Sequence, residues 1–157
     1  MQLNEPSGSA ERSVRIIDGN WDQLRSRTMP VRMAVFVQEQ AVPVDLEQDE
    51  QDAGARHWAA LAAGTCIGTV RLTADGHLGR LAVLPQWRRR GIGALLTRKV
   101  VEYARMHGAT EVDLNAQTHA IPFYEALGFR AEGPVFEEAG LPHRYMRLAG
   151  PGDNDRR

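Results

Sequence analysis

Residues 81–94 decide the fold, and they read Leu-Ala-Val-Leu-Pro-Gln-Trp-Arg-Arg-Arg-Gly-Ile-Gly-Ala. The apolar first part is typical of a strand and stops at Pro85, and Gly91 and Gly93 open a long amphipathic segment. Glycines let the backbone approach a ligand closely, and the first turn of a helix leaves N–H groups unpaired at the positive end of its dipole. The stretch therefore predicts an anion-binding site, with phosphate as the expected ligand.

Three consecutive arginines, Arg88, Arg89 and Arg90, precede this predicted helix start. A positive charge at that place opposes the helix dipole and costs about 0.3–1 kcal/mol per residue at low salt. A polyphosphate ligand would compensate for that cost. The alternative is a solvated turn whose arginines face water.

Composition fits one domain with a substantial core, because 43% of the 157 residues are hydrophobic. The net charge of -1 gives no general attraction to nucleic acid or to acidic membranes, so neither is an expected partner. The single cysteine, Cys66, excludes an internal disulfide, and no Cys/His spacing matches a zinc site, so we expect no metal. No secretory signal and no membrane-spanning apolar run are visible, which predicts a cytoplasmic protein.

Periodicity and turn signals predict a single-domain α/β protein with a mixed sheet over residues 13–149. The polar segments 1–12 and 150–157 are expected to be flexible tails. Residues 21–40 predict two short helices or one helix kinked at Pro30, residues 42–55 an acidic loop, and residues 122–127 a short helix. A long helix follows Gly91 and ends at Gly108. The predicted strands are residues 14–17, 57–61, 65–73, 78–83, 111–114, 129–131 and 144–148.

Two common phosphate-binding loops are excluded by the residues around the glycines. A Walker loop ends in Gly-Lys-Ser/Thr, but the only lysine, Lys99, lies well inside the predicted helix. A dinucleotide fingerprint needs a third glycine where Leu96 stands. The pattern that remains is Arg/Gln-x-x-Gly-x-Gly/Ala, matched by Arg88, Gly91 and Gly93.

With this pattern the chain resembles the GNAT superfamily of acyl-CoA-dependent N-acyltransferases over roughly residues 14–148. The more specific part is Phe-Tyr-Glu-Ala-Leu-Gly-Phe at residues 123–129, which follows Val-Asp-Leu-Asn-Ala-Gln at residues 112–117. Residues 32–40, 116–119 and 140–143 also resemble the ElaA-type subgroup. The resemblance implies a GNAT fold, in which a mostly antiparallel sheet has a splayed central strand pair and helices on both faces.

The resemblance also implies acetyl-CoA as co-substrate. Exposed backbone of residues 81–83 would pair with the pantetheine arm near Asn115, where neighbouring strands diverge. N–H groups from Arg89 to Ala94 would hold the pyrophosphate, with arginine side chains as charge-assisted donors. The predicted cofactor-binding residues are Leu81, Ala82, Val83, Arg88, Arg89, Arg90, Gly91, Ile92, Gly93, Ala94, Asn115 and Phe123.

The implied reaction is direct attack of a primary amine on the thioester. It needs a neutral amine, a donor for the developing oxyanion and a proton for the departing thiolate. Family geometry implies the Val83 N–H as the oxyanion donor. Tyr124 is the predicted acid, because a tyrosine with an ordinary pKa near 10 stays protonated at pH 7 and can still share its proton with a thiolate.

The general base is less determined by the sequence. Glu39 would face the acceptor side and is the predicted base, with a solvated helix-end carboxylate as the alternative. His119 and His143 match subgroup positions and could relay a proton, or could be fixed by backbone hydrogen bonds. The acidic residues between 45 and 52 could attract a cationic acceptor, although such runs are commonly solvated surface.

Two other functions stay open at this level. The chain could be a non-catalytic acyl-CoA-binding regulatory domain, which an intact Tyr124 disfavours. The arginine triplet could contact nucleic acid, which the net charge disfavours. The acceptor is expected to be a small-molecule or protein amine, and edge strands would allow a homodimer.

Overall fold

The structure, a computed structural model, describes residues 13–149, so the two predicted tails lie outside the described residues. The helices over this range are α1 (Trp21–Arg32), α2 (Val44–Glu47), α3 (Ile92–Met106) and α4 (Ile121–Ala126). The strands are β1 (Arg15–Gly19), β2 (Arg56–Ala62), β3 (Thr65–Leu72), β4 (His77–Val83), β5 (Glu111–Gln117), β6 (Arg130–Glu138) and β7 (Leu141–Ala149).

The strands form one seven-stranded sheet in the order β1-β2-β3-β4-β5-β7-β6. Every neighbouring pair is antiparallel except β4 and β5, which are parallel. The predicted mixed, mostly antiparallel α/β sheet is therefore confirmed.

The meander from β2 to β4 forms because its two connections favour tight turns. Ala63 and Gly64 join β2 to β3 with φ angles of +51° and +82°, the left-handed pair that a two-residue type I′ hairpin requires. Gly76, with φ of +89°, lies in the turn before β4. β4 then runs directly into the glycine loop, as the sequence predicted.

Helices cover both faces of the sheet. The apolar stripe of α3 is buried on one face against Trp58, Val70 and Leu78, and Leu96 at its centre has no exposed surface. On the other face, Val31 of α1 and the following Val35 pack on Ala82. Over residues 13–149 no helix combines the length and apolar character needed to cross a bilayer.

The segment after β1 forms one continuous helical stretch and does not break at Pro30. α1 starts at a capping box formed by Asn20 and Gln23, passes through Pro30, and continues as a π-helix over Met33–Glu39. A proline lacks the N–H that an α-helix needs, and the wider π turns that follow re-pair the backbone, for example Gln40 N–H to Val35 O at 3.0 Å.

Two further predictions were too simple. Residues 42–55 contain α2 and a 3₁₀ helix over Glu50–Gly54, and are not a structureless acidic loop. β6 and β7 are nine residues each, longer than predicted. Gly133 and Pro134 obscure the pattern of β6, but β6 is an edge strand with a register shift there, where a proline is tolerated.

Candidate active site

β4 and β5 part soon after they begin to pair. Their parallel register covers only the steps at His77 and Leu78. β5 then continues beside β7, whereas β4 continues beside β3 up to Val83. The side of β4 that faces β5 is therefore open over residues 81–83.

A bulge in β4 marks where the strands part. One extra residue stands in β4 between the partners of Thr69 and Arg71. Arg80, within this bulge, has φ of +53°, a conformation that costs a non-glycine residue about 1–2 kcal/mol. Its guanidinium is held in place, since Nε donates to Glu47 O at 3.0 Å and Nη2 to Asp49 Oδ2 at 3.1 Å. The sequence analysis missed this bulge.

The backbone of Val83 faces the open side. Leu84 N–H donates to Ile67 O on β3 at 3.0 Å, and successive residues of a strand direct their backbone groups to alternate sides. The N–H and C=O of Val83 therefore point away from β3. The Val83 carbonyl accepts a hydrogen bond from Arg88 Nε at 2.8 Å, which agrees with this direction.

The glycine loop places a helix start at the end of the open side. Arg89 and Gly91 both have positive φ, +65° and +81°, which turns the chain sharply into α3. The first backbone bond of the helix runs from Leu95 N–H to Gly91 O at 3.0 Å, and no side chain caps this end. N–H groups before Leu95 have no acceptor within the helix, namely those of Ile92, Gly93 and Ala94.

Gly93 is a point of close approach between α3 and α4. A Cβ atom placed on Gly93 would lie 3.4 Å from Cζ of Phe123 and 4.0 Å from Cγ2 of Val83. The Phe123 ring meets Tyr124 edge to face at 4.9 Å between centroids. The loop thus places bare helical amides, which are suited to an anion, directly beside an aromatic ring, and the phosphate cradle stays a prediction.

The arginine triplet is partly engaged within the protein. Arg88 forms a two-pronged ion pair with Glu39, with Nη1–Oε2 and Nη2–Oε1 distances of 2.9 and 2.7 Å. Arg90 lies over the ring of Trp87, 5.0 Å from its centroid. The ion pair with Glu39 neutralises one of the three positive charges that were predicted to serve phosphate binding.

The pairing also bears on the predicted base, Glu39. The hydrogen bonds from Arg88 lower the pKa of the Glu39 carboxyl below its ordinary value, despite some opposing desolvation. A carboxylate with a lowered pKa that already accepts two charged hydrogen bonds is a weak base. The geometry therefore disfavours Glu39 as the base, although its role stays a prediction.

A cavity of about 520 Å³ lies beside β4 from His77 to Leu81, where the open side begins. It brings together the predicted Leu81, Asn115, Phe123 and Tyr124, whereas Glu39 and the other predicted cofactor-binding residues do not line it. Its polar lining comes from the segment between α1 and β2, from β3, β4 and β5, from the turn before α4 and from the β6–β7 hairpin, and includes Gln40, Glu47, Asp49, Gln51, Arg71, His77, Arg80, Asn115, Gln117, His119, Glu138 and His143.

Tyr124 forms part of the cavity wall and is almost completely buried. Its ring packs edge to face against Phe123 and Phe129, with centroids 4.9 and 5.7 Å away. Burial raises the pKa of the Tyr124 hydroxyl well above its ordinary value, because the tyrosinate anion would lose its hydration. The hydroxyl is therefore kept protonated, as a proton donor requires.

A buried ionic network borders the cavity on the α1 face. Arg32 binds Glu47 and Asp52, at 2.5 and 2.9 Å. Arg71 binds Asp52 and Asp49, at 2.9 and 2.7 Å. With Arg80, three guanidinium groups meet three carboxylates. The residues predicted to attract a cationic acceptor are thus largely neutralised by arginines of the protein itself.

The histidines differ in what holds them. His143 Nδ1 contacts Leu141 O at 2.8 Å, and His57 Nε2 contacts Asp52 O at 2.9 Å, so backbone bonds fix both rings. His77 lines the cavity, and its Nδ1 lies 2.7 Å from Asp113 Oδ1. Within residues 13–149, no cluster of three or more His, Cys, Asp or Glu side chains could hold a metal ion.

Comparisons with known proteins show the family to which the chain belongs. The sequence pattern of the acetyltransferase (GNAT) domain matches residues 21–149. The chain belongs to the GNAT acetyltransferase family. It is 35% identical over 135 residues to the uncharacterised N-acetyltransferase YjcF of Bacillus subtilis (strain 168), covering 83% of this chain and 96% of YjcF. It is 32% identical over 126 residues to protein ElaA of Escherichia coli (strain K12), covering 75% and 82%.

Solved structures of GNAT proteins have the same fold. The crystal structure of an acyl-CoA N-acyltransferase from Pseudomonas aeruginosa has a TM-score of 0.77 at 27% identity, covering 87% of this chain and all of that one. Escherichia coli ElaA also has a TM-score of 0.77 at 27% identity, covering 86% and 99%. The GNAT fold and the likeness to ElaA are therefore confirmed, and the protein is a transferase that uses acyl-CoA.

We expect Asp52→Asn to lower the free energy of unfolding by about 3–5 kcal/mol, because it removes the shared partner of two buried guanidinium groups. Denaturant unfolding at pH 7 measures the change. Asp18→Asn is the matched control, since Asp18 pairs with Arg56 on the surface. An exposed pair contributes at most about 1 kcal/mol. Equal losses in the two variants would contradict a special role for the buried network.

The carboxylate of Asp52 should also make the free energy of unfolding sensitive to acid. Burial would raise the pKa of Asp52, but hydrogen bonds and charge from Arg32 and Arg71 outweigh it and lower that pKa. Its stabilisation is therefore complete above the unfolded value near 3.9 and is lost as the pH falls through the lower folded value. Between pH 5 and 2 the wild type should lose more stability than Asp52→Asn. Parallel pH curves would contradict this assignment.

Proposed function

We propose that the protein transfers an acetyl group from acetyl-CoA to a primary amine by direct attack. The observation that carries the proposal is that Phe123 lies between the bare amides at the start of α3 and the cavity, because it would lie 3.4 Å from a Cβ on Gly93 and it lines the cavity together with Tyr124. Acetyl-CoA supplies the activated acyl group when it is bound. The acceptor is proposed to be a small-molecule or protein amine.

The chain's own groups suit the binding of the co-substrate. The N–H groups of Ile92, Gly93 and Ala94, with the positive end of α3, would hold the diphosphate. Arg88, Arg89 and Arg90 would add charge-assisted donors. The open backbone of β4 would pair with the pantetheine arm as an added strand does, with Asn115 and Phe123 beside it.

Tyr124 is the proposed donor of the proton that the leaving thiolate needs. The raised pKa of its buried hydroxyl keeps it in the donor form throughout the physiological range. The Val83 N–H, directed to the open side, is the proposed donor to the oxygen that gains negative charge during attack. Both groups are fixed by packing, so they need no rearrangement when the charge develops.

We expect Tyr124→Phe to reduce kcat about 100-fold or more, because a positioned general acid contributes about 10²–10⁴ in rate. Acetyl-CoA affinity should stay within twofold, since the change removes only a hydroxyl from the cavity wall. Thiol release on an amine panel measures kcat, and calorimetry measures the affinity. Tyr103→Phe, on the far side of α3 beside Trp58, is the matched control.

The outcomes separate the enzyme from its alternative. A wild type that binds acetyl-CoA and releases no thiol with any amine would favour the non-catalytic acyl-CoA-binding domain. Turnover that Tyr124→Phe leaves unchanged would keep the enzyme and remove Tyr124 from its mechanism.

A second variant tests the ion pair between Glu39 and Arg88. If Arg88 serves the diphosphate, it must first leave Glu39, and Glu39→Gln weakens that competing contact. We expect acetyl-CoA affinity to rise by up to about fivefold, the equivalent of an exposed ion pair, with kcat changed less than threefold. Arg88→Gln should weaken the affinity instead. A 100-fold fall in the kcat of Glu39→Gln would re-establish Glu39 as the base.

We also propose that the protein forms a homodimer through the edge strands β1 and β6, and that it is located in the cytoplasm. Size-exclusion chromatography with light scattering measures the first, and cell fractionation the second.

A further inference from the structure

Three side chains from three neighbouring strands form a hydrogen-bonded chain at one end of the cavity. Nδ1 of His77, on β4, lies 2.7 Å from Oδ1 of Asp113, on β5. The hydroxyl of Tyr145, on β7, donates to the other Asp113 oxygen at 2.9 Å. His77 and Asp113 also face each other in the sheet register, so the strands themselves hold the pair in place.

This arrangement sets the tautomer of the histidine. A carboxylate only accepts hydrogen bonds, so the proton of the neutral imidazole must lie on Nδ1. Nε2 then carries the free lone pair. A histidine that is oriented through Nδ1 by a carboxylate, and presents Nε2 as a base, is the arrangement that proton abstraction requires.

Tyr145 keeps Asp113 in that role. Burial, together with the hydrogen bond to Asp113, raises the pKa of Tyr145 to about 12. Tyr145 therefore remains a donor and cannot take a proton from the histidine.

His77 is accessible from the cavity, whereas the competing groups are held or shielded. Its side chain is 33% exposed and lines the cavity. The side chain of His143 is only 8% exposed and its Nδ1 is held by a backbone carbonyl. Glu39 is bound by Arg88. No carboxylate orients His119 in the part of the chain that the structure describes.

We propose that His77 accepts the proton that the acceptor amine must lose before it can attack. The inference rests on the proposed acetyl transfer. The N–H bond of the ammonium breaks, the electron pair stays on nitrogen, and a new N–H bond forms at Nε2 of His77. The exposed imidazolium then returns the proton to solvent.

The distance along β4 requires water between the amine and the base. Val83, whose N–H is the proposed donor to the thioester oxygen, is six residues from His77, or roughly 20 Å at the rise of a strand. The cavity spans the part of this distance from His77 to Leu81, because both residues line it. His77 is therefore a proton acceptor that acts through cavity water and a positioned element of the acceptor site.

The test compares two amines that differ only in basicity. One is an alkylamine that the wild type acetylates, and the other is its β,β,β-trifluorinated analogue, which is largely neutral near neutral pH and does not need to lose a proton before it attacks. We expect His77→Gln to lower kcat/KM about 100-fold for the alkylamine and less than threefold for the analogue. His107→Gln, at the exposed end of α3, is the matched control and should change neither value.

A second variant covers the case in which His77→Gln does not fold. Tyr145→Phe removes only the hydroxyl that holds Asp113, and it should give a smaller loss with the same dependence on amine basicity. In addition, imidazole in solution should partly restore alkylamine turnover to His77→Ala.

The results distinguish the inference from the function on which it rests. Equal losses for both amines, or a basicity-dependent loss in His119→Gln or His143→Gln in place of His77→Gln, would overturn the role of His77 and leave acetyl transfer intact. A wild type that releases no thiol with any amine would overturn both.

Discussion

The site depends on the strained bulge at Arg80 in β4. A non-glycine residue with positive φ relaxes unless its surroundings hold it, and the Arg80 guanidinium is held by Glu47 O, Leu46 O and Asp49. The extra residue re-aims β4 just past its last pairing step with β5, and the two strands separate. The open side of β4, and with it the proposed pairing with the pantetheine arm, follows from this local distortion.

The ionic network explains why the distortion is rigid. Arg32 from α1, Arg71 from β3 and Arg80 from β4 share carboxylates that lie within six residues of chain, from Glu47 to Asp52. Buried ion pairs add little net stability compared with apolar packing, but they tolerate only one geometry. The network therefore ties α1, the α2 segment and the sheet together. Because its charges balance, it does not by itself select a cationic acceptor.

Local signals in the sequence were sufficient to predict much of the fold. The stripe of α3, the hairpin at Gly64 and the helix start at Gly91 each depend on residues close together in the chain, so pattern and turn chemistry predicted them. The length of β6 was underestimated because Pro134 breaks the strand pattern. A proline is acceptable there only because β6 is an edge strand.

The missed features all depend on partners far apart in the sequence. Glu39 and Arg88 are 49 residues apart, and Arg32 and Asp52 are 20. Before folding, a carboxylate in an acidic run looks like solvated surface. Likewise, nothing local distinguishes His77 from other turn histidines, because Asp113 reaches it only through the parallel pairing of β4 with β5. The glycine loop was predictable because its chemistry lies in its backbone.

The two proposed proton-transfer groups have different tasks, because burial holds Tyr124 as a donor whereas Asp113 orients His77 with Nε2 as an acceptor. A buried tyrosinate would be costly, so Tyr124 can release its proton to the thiolate only as it receives another from the attacking nitrogen. Such a relay handles the second proton of the amine, and it cannot begin until the first has gone. A separate acceptor must take that first proton, and it must reach solvent to be reset after each cycle. The partly exposed His77, held by Asp113, meets both requirements, whereas Glu39 bound to Arg88 does not.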